Sequence, residues 1–132
     1  MNVEKIKRIV ENTEYDFLRN NEYLNNNIVM LGLGGSYAYG TNNEDSDLDL
    51  RGIALNKIED LLLGNDFEQV VDVITDTTIY SLKKAFTLLR HCNPNTIEIL
   101  GLSDEQIIIN SDIWREIVKN IHIFLSKICE LS

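Results

Sequence analysis

Residues 33–52 read LGGSYAYGTNNEDSDLDLRG. Gly34 and Gly35 leave the backbone free to turn tightly and let a bulky anion approach the amides, and Ser36 adds a hydroxyl where a short helix is expected to begin. Eleven residues beyond Ser36 come Asp47 and Asp49, separated by Leu48. Alternate side chains of a strand share a face, so Asp47 and Asp49 project together while Leu48 and Leu50 enter the core. Two carboxylates so placed can hold one or two divalent ions, which predicts a phosphate cradle beside a metal site.

Three better-known motifs share parts of this pattern and fail on particular residues. A Walker A loop needs lysine after its last glycine, but the run from Gly35 to Gly40 is followed by Thr41. A dinucleotide fingerprint starting at Gly32 and Gly34 would need its third glycine at Tyr37. A calcium loop starting at Asp45 would place Leu50 where glycine is required and Asn56 where glutamate is required.

Outward from this stretch, helices and strands alternate. Residues 28–33 read as a buried strand entering the glycine turn, and 48–55 as the strand that carries the aspartates. Val3, Ile6, Val10 and Phe17 recur near helical spacing, predicting an amphipathic helix over 3–22 that the asparagines at 25–27 end. A short helix is expected over 58–63, and a third strand over 67–73, continued after a bend by 77–80. Leu82, Ala85, Phe86 and Leu89 share one face of a helix over 81–92, which Asn93-Pro94 interrupts. Ile113, Ile117, Phe124 and Ile128 mark a C-terminal helix over about 111–129, with Ser111 as its cap. The expected class is α/β (α+β), a small mixed sheet flanked by helices, in a single domain spanning 1–132 with its core motifs at 28–101.

The chain has 132 residues and a formal net charge of −9. That length suffices to bury about two-thirds of the surface of the unfolded chain. Cys92 and Cys129 lack metal-ligand spacing, and no charged and apolar leader resembles a secretory signal, so buried thiols and a reducing cytoplasm are expected. No apolar run approaches the roughly 20 residues that cross a bilayer. The acidic balance opposes broad attachment to a nucleic-acid backbone. It remains compatible with an RNA end docked locally near Lys83, Lys84 and Arg90, and more readily with a small-molecule or protein acceptor. His91 and His122 lie far apart without a matching ligand pair.

The Gly35-Ser36 pair followed by Ser46-Asp47-Leu48-Asp49 resembles the signature of the DNA polymerase β-like nucleotidyltransferase superfamily. More narrowly, GGSYAYGTNNEDSDLDLRGI, DTTIYSLKKAF and NPNTIEIL resemble the predicted nucleotidyltransferases of the phage RNA-ligase-associated type, over about residues 33–101. The resemblance implies a polymerase β-like fold and transfer of a nucleoside monophosphate from a nucleoside triphosphate, ATP favoured, to a hydroxyl-bearing acceptor, with release of pyrophosphate. It implies Mg²⁺ on Asp47 and Asp49, with a third carboxylate from a neighbouring strand. Asp76, which opens DTTIYSL, is favoured for that place; Asp72, flanked by valines, competes with it, and Glu68 or no third ligand remains open. Gly35 and Ser36 would hold the triphosphate, with Lys84, or its neighbour Lys83, reaching it. Arg51 pairs with the aspartates or a phosphate, or forms a structural salt bridge. Tyr37 and Tyr39 read as core or rim, and Glu98 as a helix-start acid that could approach the site. Related enzymes commonly continue into more helical sequence that receives the base or acceptor, so a minimal enzyme, a homo-oligomer, a partner protein or a missing segment would each account for that surface here. The rival reading is a non-catalytic nucleotide- or protein-binding module of the same fold, such as an antitoxin-like partner.

Overall fold

The computed structural model describes residues 3–34 and 49–129, with 122–129 as backbone. In chain order the elements are α1 (Val3–Val10), α2 (Phe17–Asn20), β1 (Ile28–Leu33), β2 (Leu50–Ala54), α3 (Ile58–Leu63), β3 (Gln69–Asp72), β4 (Thr77–Ser81), α4 (Leu82–Arg90), α5 (Pro94–Leu100), β5 (Ile107–Asn110) and α6 (Asp112–Cys129). Short 3₁₀ turns at Thr13–Tyr15 and Asp104–Gln106 precede α2 and β5.

The strands form one mixed sheet in the order β3-β4-β2-β1-β5. β1 runs antiparallel to both β2 and β5, β3 and β4 form an antiparallel pair, and β2 and β4 run parallel. Alternation along the strands feeds two cores. Leu50, Ala54 and Ile79 face Ile6, Val10, Leu18 and Leu24 from the N-terminal segment. Ile53 and Tyr80 point the other way, toward Ala85, Leu89, Ile99 and Trp114 of α4, α5 and α6. Burial on both faces explains why β1 and β2 read as apolar runs. A Cβ at Gly52, in the middle of β2, would lie 2.7 Å from Ile79 Cδ1 and 2.8 Å from the carbonyl oxygen of Met30, so the strand pack admits no side chain there.

Several expectations hold. Ser81 accepts a hydrogen bond from Lys84 N at 3.0 Å and starts α4, and Ser111 accepts one from Trp114 N at 3.2 Å and starts α6. Others are corrected. The single helix over 3–22 is broken at Asn12, which is extended. Arg19 takes up the carbonyls left at the break, donating to Val10 O at 2.9 Å and Asn12 O at 3.2 Å. Residues 77–80 do not continue the preceding strand; the chain reverses at 73–76, so β3 and β4 are hairpin partners. Asn93-Pro94 ends α4 but also starts α5, because the Asn93 side chain accepts from Thr96 N at 3.1 Å and Pro94 occupies the first helical turn. β5 had no counterpart in the sequence reading. Cys92, expected as a buried thiol, is disulfide-bonded. No helix among the described residues is long and apolar enough to cross a membrane.

Candidate active site

The site lies where β1 ends and β2 and β4 begin. Pairing sets Leu33 beside Leu50 and Leu50 beside Thr77, so three strand ends meet at one edge of the fold. Gly34 N donates to Asp49 O at 2.8 Å, and Leu50 N donates to Asp76 O at 3.1 Å. Extending the parallel register by one residue therefore puts Asp49 beside Asp76. Asp49, Arg51 and Ile53 share a strand parity, which directs the carboxylate to the sheet face covered by α4, α5 and α6.

Arg51 grips Asp49 with both arms of its fork, Nε to Oδ1 at 3.2 Å and Nη2 to Oδ2 at 3.4 Å. The pair is partly shielded, with side-chain exposures of 29% for Arg51 and 17% for Asp49. Arg51 is held above its ordinary pKa chiefly by the Asp49 hydrogen bond; burial opposes this, and the charges of Asp49 and Asp76 add to it. The guanidinium thus senses both carboxylates. Gly34 makes room for the pair: a Cβ there would meet Arg51 Cγ at 3.0 Å and Asp49 Oδ2 at 3.3 Å. A recess of about 20 Å³ adjoins Arg51 and is also lined by Gly34, Asn95, Glu98 and Leu102. Glu98 therefore does reach the neighbourhood of the site. Asn95 was missed, although the Asn93-Pro94 start signal could have placed it on a helix.

The competing acids separate by environment. Asp76 is exposed and left-handed, with φ 51, immediately before β4. Asp72 is spent on the hairpin turn, where its Oδ2 accepts from Thr75 N at 3.0 Å and Thr75 Oγ1 at 2.6 Å. Lys84 is not brought to these acids. It follows the far end of β4, roughly 13 Å along the strand from Thr77 at about 3.3 Å per residue, and its Nζ lies 3.9 Å from Glu68 Oε2. Lys83 pairs with Asp66 at 3.4 Å. Gly35, Ser36, Tyr37, Tyr39 and Asp47 lie outside the described residues.

Among the described residues no group of three or more His, Cys, Asp or Glu side chains is placed to hold a metal ion. Asp49 and Asp76 nevertheless supply the hard carboxylate oxygens that Mg²⁺ prefers. The donor chemistry fits such an ion.

Residues 3–120 match the family model described as RlaP, RNA repair pathway DNA polymerase beta family. The chain is also 28% identical over 99 residues to an uncharacterized 38.9 kDa protein in the nrdC-mobD intergenic region of Enterobacteria phage T4. That alignment covers 65% of this chain and 30% of the phage protein, so the chain spans less than a third of that relative's length. No solved structure matches the chain. The match over residues 3–120, on a mixed sheet whose strand ends gather Asp49 and Asp76, places the chain in the RNA repair pathway DNA polymerase beta family, within the polymerase β-like nucleotidyltransferases.

Proposed function

We propose that this protein is a Mg²⁺-dependent nucleotidyltransferase that moves a nucleoside monophosphate, AMP favoured, from its triphosphate to a hydroxyl acceptor with release of pyrophosphate. The observation that carries the reading is the juxtaposition of Asp49 with Asp76 across the parallel β2–β4 pair, fixed by the Leu50 N to Asp76 O hydrogen bond of 3.1 Å. Polymerase β-like nucleotidyltransferases generally use divalent metals. Asp47, Asp49 and Asp76 would hold Mg²⁺, and the ion would supply charge neutralisation at the phosphates.

The remaining work falls to the chain's own groups. The amides of Gly35 and Ser36 would donate to the triphosphate. Asp76, exposed and next to Asp49, is the carboxylate best placed to accept the proton of the attacking hydroxyl. The parallel pairing of β2 with β4 fixes the spacing between the two acids, and helices on both faces keep those strands from shifting. The family description, RNA repair pathway, supports an RNA end as acceptor.

The test is pyrophosphate release from each nucleoside triphosphate in Mg²⁺, with RNA oligonucleotides bearing free hydroxyl ends and with small-molecule and protein acceptors. Removing metal-binding carboxylates forfeits several kcal/mol of charge stabilisation, so Asp47→Asn/Asp49→Asn should lose at least about a hundredfold in rate while remaining folded. Wild-type protein that binds a partner stoichiometrically, releases no pyrophosphate with any acceptor and keeps that binding in the double variant would instead favour the non-catalytic reading.

A further inference from the structure

Arg51 occupies the oxygens that a metal ion would need. Its Nε and Nη2 lie 3.2 and 3.4 Å from the two oxygens of Asp49, so neither oxygen is left without a cationic neighbour. A divalent ion approaching Asp49 therefore meets a fixed positive charge on the same carboxylate, in a setting where water screens the repulsion only in part. Arginine does not escape this conflict by losing its proton. The two cations therefore compete for the charge of one carboxylate.

The surroundings of the guanidinium restrict where it can go. The end of β1 closes one side, since even a Cβ on Gly34 would stand 3.0 Å from Arg51 Cγ. The neighbouring recess of about 20 Å³ accommodates a water molecule but not a guanidinium. Asp76, whose charge acts on the guanidinium, lies exposed to solvent at the start of β4. The planar fork suits bidentate binding to phosphate oxygens as well as it suits the carboxylate.

We propose that Arg51 is a resident counter-ion that a divalent metal displaces from Asp49, and that the released guanidinium becomes a ligand of the triphosphate. The proposal rests on the nucleotidyltransferase reading. It assigns Arg51 opposite effects on two equilibria: the residue weakens metal binding in the absence of nucleotide and strengthens nucleotide binding in the presence of metal. A purely structural salt bridge would move both in the same direction.

The experiment measures Mn²⁺ binding without nucleotide, by electron paramagnetic resonance of the free ion, and MgATP binding without acceptor, by calorimetry. Wild type, Arg51→Gln, Arg51→Lys and Asp49→Asn are compared, each checked for folding by circular dichroism. Arg51→Gln should bind Mn²⁺ about tenfold more tightly and MgATP about tenfold more weakly, each a shift of about 1.4 kcal/mol. Arg51→Lys keeps the charge and loses the fork, so its Mn²⁺ affinity should stay near wild type while its MgATP affinity falls. Unchanged or weaker Mn²⁺ binding in folded Arg51→Gln overturns the proposal, as does tighter metal binding with no loss of nucleotide affinity. Wild type that binds Mn²⁺ and MgATP, with both lost in Asp49→Asn, upholds metal-dependent nucleotide binding at Asp49, the part of the nucleotidyltransferase reading on which the proposal rests, whichever way Arg51 behaves. Folded wild type that binds neither removes that reading and the proposal together.

Discussion

Asp72 and Asp76 are four positions apart, and the structure gives them different work. Asp72 organises the turn between β3 and β4 through its bonds to Thr75, whose side chain is buried at 5% exposure and also lies 3.0 Å from Thr77 Oγ1. Asp76 is exposed, and its backbone is tied to the start of β2 next to Asp49. Asp72→Ala should therefore destabilise the protein by about 1–2 kcal/mol in urea denaturation, the cost of losing a hydrogen bond to a buried hydroxyl, and leave the transfer rate of the folded fraction nearly unchanged. Asp76→Asn should do the reverse, lowering transfer at least about a hundredfold with stability within about 0.5 kcal/mol of wild type. Equal loss of transfer in both variants would contradict this division. In sequence, Asp72 between Val71 and Val73 looks like a strand carboxylate facing a site. The alternation is correct and the residue does end β3, but no pattern shows that the next three residues reverse the chain and take up its oxygens. The Arg51–Asp49 pairing was half legible, because neighbours two apart on a strand share a face, whereas the choice between carboxylate and phosphate partners depends on the space beside Gly34.

The element that sets the geometry is the parallel β2–β4 pair, and its tightest point is Gly52. A methyl group there would meet the Met30 carbonyl oxygen at 2.8 Å as well as the Ile79 side chain at 2.7 Å, and the backbone atom cannot rotate away. Gly52→Ala should cost about 1–3 kcal/mol, the usual range for overpacking, read as a lowered urea midpoint at unchanged slope. Because the same shift would move Asp49 relative to Asp76, transfer per folded molecule should fall as well. A variant with wild-type stability would mean that β1 and β2 can separate at this point. Strands buried on both faces were easy to read from their apolar runs, as were the start of α4 at Ser81 and the Ser111 cap of α6. The helix over 3–22 was overextended because apolar spacing persists through Phe17, while the break at Asn12 depends on Arg19 reaching back to Val10 and Asn12. β5 went unread for the opposite reason. Its run of three isoleucines is too short to separate strand from helix by periodicity, and it is a strand because β1 presents a free edge to it.

At the scale of the molecule, charge and topology act together. The acids of the candidate site gather at the starts of β2 and β4, while Lys83 and Lys84 lie beyond the other end of β4 and are paired with Asp66 and Glu68. Of the basic patch expected from sequence, Lys83 and Lys84 are therefore paired with acidic neighbours and Arg90 is left, on a chain whose formal charge is −9. An RNA substrate would gain little from its backbone and would be held mainly by its terminal nucleotide and the metal-bound triphosphate. Binding of a single-stranded RNA in the presence of Mg²⁺ and a non-hydrolysable triphosphate should then show a shallow salt dependence. Two phosphate contacts at about 0.7 each give a slope of log affinity against log salt no steeper than about −1.5. Lengthening the oligonucleotide beyond a few residues should add little affinity, since further phosphates would pass over acidic surface. A slope of about −4 or steeper, or affinity that keeps rising with length, would require a phosphate-binding track. Lys83→Gln/Lys84→Gln supplies the control: it should leave the slope unchanged if these lysines stay with Asp66 and Glu68, and flatten it if they leave those partners for RNA.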